Sequence, residues 1–161
     1  MVRFRAGHSL IPSKSEPLWP TLLLRHEIVS GARWFWWIAG MSLLNTVLMH
    51  SGSDRTFVIG LGFTLIADVI FQEVPVIAWL VDAFAVGFFV LMGWLAGRGR
   101  MSAFVLGILC YTADGFIYLY FEEWIPLAIH ALALFYLVRA ALLLRSAVHT
   151  AGATASAPSA G

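Results

Sequence analysis

Charge is what this sequence has least of. Only 12% of its 161 residues are Asp, Glu, Lys or Arg, about half the share an ordinary soluble domain carries. The formal net charge is +1, and no basic stripe exceeds what membrane orientation needs, so nucleic acid is excluded as a partner. Cysteine is almost missing. The single thiol, Cys110, lies in an apolar run, cannot close an internal disulfide, and reads as a small packing residue. Catalytic signatures are missing too: there is no HExxH, no pair of histidines at helical spacing and no GxSxG. Ser42, Ser102 and Thr112 have no evident base, and no cofactor is expected. The first 32 residues hold Arg3, Arg5, Lys14 and Arg25 with prolines at 12, 17 and 20. They offer no early apolar core, so no cleavable signal peptide is expected.

Apolar residues fill the space that charge leaves. They make up 60% of the chain, and the mean hydropathy is +0.84. The length suits one domain. Five hydrophobic segments can be drawn, over residues 34–49, 56–71, 76–96, 101–121 and 125–144. The last three reach the roughly 20 residues that a helix needs to cross a bilayer. Their connections, HSGSDR, QEVP, GRGR and EEWIP, are short, which forces neighbouring helices to pack antiparallel. The expected fold is an all-α integral membrane helical bundle over residues 33–146, because backbone groups in lipid must be satisfied within each segment. Residues 1–32 read as an amphipathic arm, lying along the membrane surface or packed irregularly on the bundle. Residues 147–161 read as a disordered tail, small and polar. Trp34, Trp36, Trp37, Trp79, Trp94 and Trp124 sit near segment ends, as interfacial anchors do. Gly93 and Gly97, four apart, could let two helices approach closely.

Orientation bears on the second segment. With five crossings, Lys and Arg split five against five between the two sides; with four they split nine against one, leaving Arg55 alone. The excess of cations on the cytoplasmic side favours four crossings, with both termini cytoplasmic and the second segment re-entrant. That segment is also short, carries GLG and is interrupted by Asp68.

The few ionisable groups inside the apolar segments recur at one level. Asp68 lies seven residues before Pro75 and Asp82 seven after it; Asp114 lies nine before Glu123 and His130 seven after it. At 1.5 Å per residue, each sits roughly 10 to 14 Å along its helix from a turn. Both turns fall on one face of the membrane, under a rim of Glu73, Glu122 and Glu123. Asp114 and His130 share a hairpin and are the tightest expected pair. Thr64 and Asp68 belong to one polar stripe with Gly60 and Gln72. Gly107, Tyr111, Asp114 and Tyr118 share a face, and Ser42 and Asn45 could join them. A mid-helix acid is costly unless it faces the interior, a cavity or a partner.

Three readings follow. Asp68, Asp82, Asp114 and His130, supported by Asn45, Thr64 and Tyr111, form a site that binds or passes a proton or small cation. Alternatively they only lock helices together, in a structural or accessory subunit. Least favoured by one buried imidazole is a metal-dependent membrane enzyme; whether a metal binds is left unknown. A bundle of this size has little room for a private conduction path, so a homo-oligomer or a larger membrane complex is expected alongside the lipid bilayer.

The stretches SGARWFWWIAGMSLLNTVL, FVIGLGFTLIAD and YTADGFIYLYFEEW followed by IHALALFYLVRA resemble a group of small, uncharacterised bacterial polytopic membrane proteins. The resemblance covers roughly residues 30–145. It implies a multi-pass protein of the bacterial cytoplasmic membrane, and it implies no activity.

Overall fold

A computed structural model describes residues 19–50 and 60–156. Its elements are five helices: α1 (Trp19–His50), α2 (Gly62–Ile70), α3 (Pro75–Gly97), α4 (Met101–Tyr120) and α5 (Trp124–Ser156). No strand occurs among the described residues.

Local chemistry sets the boundaries. Pro75 occupies the first turn of α3, where its missing N–H costs nothing and its fixed φ suits a helix start. Two tight caps of the same design close the hairpins. At the end of α3, Gly99 has φ 76°, its N–H donates to Ala96 O at 2.9 Å, and Arg100 N–H donates to Leu95 O at 3.1 Å. At the end of α4, Glu122 takes the corresponding place with φ 60°, and Glu123 N–H donates to Tyr118 O at 2.9 Å. Both are Schellman motifs, which satisfy the last carbonyls of a helix by a left-handed residue. Glycine adopts that conformation freely; Glu122 adopts it against its own Cβ.

The four long helices alternate in direction. Thr46, late in α1, meets Asp82, early in α3, whereas Leu24 and Ile28, early in α1, line a pocket with Gly97 and Leu144. Phe35 of α1 is fully buried between Phe89 of α3, at 6.3 Å, and Phe104 of α4, at 6.0 Å. Around it the interior is built largely from alanine: Ala32, Ala85, Ala96, Ala103, Ala133 and Ala140 are all buried. Large side chains point the other way. Phe84, Leu109, Phe116, Ile125, Leu132 and Phe135 are exposed. Small residues inside and bulky apolar ones outside suit a bundle solvated by lipid, where helices associate by close approach rather than by hiding from water.

Three helices among the described residues are long and apolar enough to cross a membrane: Pro75–Gly97, Met101–Tyr120 and the Trp124–Thr150 part of α5. That is fewer than the five hydrophobic segments drawn from the sequence. The described part of the second segment holds α2, whose 9 residues extend about 14 Å, half a bilayer core. The first segment is long enough within α1, but the described part of that helix carries Arg25, Glu27 and Arg33 and the polar Ser42, Asn45 and Thr46.

Other boundaries also differ from the sequence reading. Residues 19–32 are the opening turns of α1 rather than a separate arm, and Ile28 and Ala32 are buried in the bundle. With no proline after position 20, nothing stops the helix between there and residue 50. Residues 1–18 lie outside the described part. Helix α5 runs on through residues 147–156, beyond the expected start of the tail; alanine-rich sequence continues a helix at little cost. Of the glycine pair, Gly93 makes a close approach, since a Cβ there would lie 2.8 Å from Trp36 Nε1, whereas Gly97 faces open space.

Candidate polar centre of the bundle

Asp114 and His130 meet. On α4, Asp114 lies six residues before Tyr120; on α5, His130 lies six after Trp124. Each is therefore about 9 Å in from the end of its helix. Both are buried, at 6% and 1% exposure, and His130 Nε2 lies 2.9 Å from Asp114 Oδ2. The other ring nitrogen, Nδ1, is 3.0 Å from Pro126 O, a carbonyl that can only accept.

Asp114 has a second set of partners that no spacing rule shows. Gly62 N–H donates to its Oδ2 at 3.0 Å and Phe63 N–H donates to its Oδ1 at 2.9 Å. These are the first two amides of α2, whose own N-cap residue, Leu61, provides no side-chain cap. The carboxylate of α4 thus caps α2 from another helix. Orphan amides and the positive end of the helix dipole favour an anion there. Tyr118 O–H donates to Gly60 O at 2.8 Å and so holds the residue before the cap. Thr64 turns its hydroxyl back to Leu61 O at 2.8 Å.

The proton inventory of the pair follows from these contacts. Nδ1 faces a carbonyl and must carry a hydrogen. Nε2 and Oδ2 face each other at hydrogen-bond distance, so one hydrogen lies between them. Whether that hydrogen is drawn on nitrogen or on oxygen, the pair has no net charge. A further proton would set two donors against each other; one fewer would set a lone pair against a carboxylate. Tyr111 stacks on the imidazole with centroids 4.1 Å apart and planes at 12°, and Tyr118 flanks it at 5.0 Å. Tyr111 in turn meets Phe89 edge-on at 5.9 Å, which joins the pair to the aromatic core.

Asp82 stands elsewhere. Buried at 2% exposure on α3, it accepts the Thr46 hydroxyl of α1 at 2.6 Å. Ser42 lies four residues before Thr46, on the same face of α1, Asn45 lies three after Ser42, and both are buried. Ser42 Oγ and Asn45 Oδ1 make no hydrogen bond among the described residues. Asn45 lies against Gly60, where a Cβ would come 3.1 Å from its Nδ2. Asp68 is 8% exposed on α2. The rim residues Glu73, Glu122 and Glu123 are exposed. Among the described residues no three His, Cys, Asp or Glu side chains gather as ligands of a metal ion.

The structure therefore brings Asp114, His130 and Tyr111 into one cluster, and adds Gly62, Phe63 and Tyr118. It seats Asp82 with Thr46, a residue the sequence reading passed over. The available signal was its i+4 spacing from Ser42. An apolar groove of about 410 Å³ opens outward between α2, α3 and α4, lined by Phe63, Phe84, Phe88 and the exposed Cys110, with Asp114 in its wall.

Comparison with protein-family models, with curated proteins and with solved structures finds no match to this chain. The resemblance to small bacterial multi-pass proteins thus has no family match behind it. What stands is a helical protein with three apolar helices, consistent with a membrane protein, and a buried Asp114–His130 pair.

Proposed function

We propose that this chain is a bacterial cytoplasmic-membrane protein that crosses four times, through α1, α3, α4 and α5, with both ends of the chain in the cytoplasm and α2 as a re-entrant half-helix. Its polar centre binds or passes a proton, and the Asp114–His130 pair is where the proton acts. One observation carries this reading: a single buried carboxylate is bonded at once by an imidazole and by the first two amides of a short helix. Uptake of a further proton breaks the Nε2–Oδ2 bond and leaves no anion at the helix terminus. Protonation is thereby coupled to the hold on α2. Discontinuous helices whose amino ends point at an anion near the membrane midplane are a recurring device of transport proteins.

The test is hydrogen exchange at the Gly62 and Phe63 amides, measured against pH in wild type and Asp114→Asn. Taking up one proton more than the pair can share favours the released state, so the wild-type amides should exchange faster as pH falls, after correction for intrinsic exchange. The variant should exchange fast throughout. A wild-type protection that stays flat with pH, in a folded protein, would sink the proton reading. It would leave the second one, a structural or accessory subunit. That reading has its own support, since both Asp114 oxygens and both His130 nitrogens already have partners within the protein.

A further inference from the structure

Arginine collects at the end of the bundle opposite Glu73, Glu122 and Glu123. Arg25 lies early in α1, Arg98 and Arg100 belong to the α3–α4 turn, Arg139 lies midway along α5 and Arg145 beyond it. Arg139 is paired with Glu27 at 2.9 Å. Arg25 and Arg98 have no acidic partner among the described residues. Instead they line one pocket of about 440 Å³ together with Leu24, Ile28, Gly99 and Leu144. The Arg98 guanidinium lies over the Trp94 indole, 3.4 Å from the ring centroid. Stacking of that kind fixes the direction of the fork without using its donors.

We propose that this pocket is a binding site for an anionic phospholipid. The two guanidiniums take the phosphodiester, and an acyl chain lies on Leu24, Ile28 and Leu144. Charge complementarity selects the headgroup. Arginine forks match phosphate oxygens in pairs, and basic pockets between helices on the cytoplasmic side hold anionic headgroups. The apolar part of the lining selects a lipid over a soluble phosphate, because an inorganic ion would leave that surface uncovered. The position suits the lipid as well, since Trp94 marks the headgroup level. The inference rests on the transmembrane placement proposed above and not on the proton chemistry of Asp114.

The full chain is reconstituted into nanodiscs of phosphatidylcholine, with and without a minor fraction of phosphatidylglycerol. Thermal unfolding and the lipids retained after mild extraction, seen by native mass spectrometry, are the readouts. Phosphatidylglycerol should raise the Tm and be retained. Arg25→Gln and Arg98→Gln should each weaken retention about fivefold, the effect of one cation near the headgroups. Arg139→Gln, which removes an arginine already paired, should leave retention unchanged. Equal phosphatidylglycerol retention by Arg25→Gln, Arg98→Gln and wild type would overturn the site. So would inorganic phosphate that raises the Tm of detergent-solubilised protein and displaces the lipid. If a glutamine variant does not reconstitute, Arg98→Lys is read instead: it keeps the charge, loses the fork and the stack, and should retain less lipid than wild type. Exchange at Gly62 and Phe63 in the same samples reports the latch on α2, so the two proposals fail separately.

Discussion

Asp114 and Asp82 are both buried, both on long helices and both within about 10 Å of the same end of the bundle, yet they are held by different kinds of group. Asp114 accepts from two backbone amides and faces an imidazole. Asp82 accepts from a threonine hydroxyl, and the neighbouring Ser42 and Asn45 oxygens make no hydrogen bond among the described residues. A hydroxyl can rotate to another acceptor without moving its helix; an amide cannot. The contrast separates an acid whose state is tied to the position of a whole element from one whose threonine partner can turn without moving its helix.

The largest effect should come from deleting the tied acid. Asp114→Ala leaves two amides and an imidazole without their acceptor in a buried place. It should cost about 3–5 kcal/mol, the usual penalty for breaking a buried pair, measured by reversible unfolding in detergent. Asp82→Asn should cost far less, about 1 kcal/mol or under, because the amide oxygen can still accept from Thr46. A loss at Asp82 as large as that at Asp114 would erase the distinction. The smallest effect should be that of Glu27→Gln. Its ion pair with Arg139 is about half exposed on both sides, and screening reduces such pairs to roughly 0–1 kcal/mol; the Tm should hardly move.

Much of the pair is legible in the sequence. A short turn between antiparallel helices keeps residues at similar distances from it at similar depth, and Asp114, nine residues before Glu123, and His130, seven after it, can be matched by counting. Charge distribution and the interruption at Asp68 single out the second segment, whose described part holds the nine-residue α2. The amide partners of Asp114 could not be read, because Gly62 and Phe63 contribute only backbone, and backbone donors carry no residue identity. Nor could the run of α1 through residues 19–32. Pro20 and scattered charges there look like an irregular arm, and burial of Ile28 and Ala32 against the bundle decides the matter through contacts distant in sequence. The first segment is apolar by itself, but the helix that contains it also carries Arg25 and Arg33.

The lone thiol supplies a ruler. Cys110 is exposed on α4, four residues or about 6 Å from Asp114 along the helix, and no other sulfhydryl competes with it for a label. A nitroxide attached to the natural chain would report, through quenching by oxygen or by a water-soluble nickel chelate, how far below the phospholipid surface the acid lies. Immersion depth could thus be measured without engineering a single position.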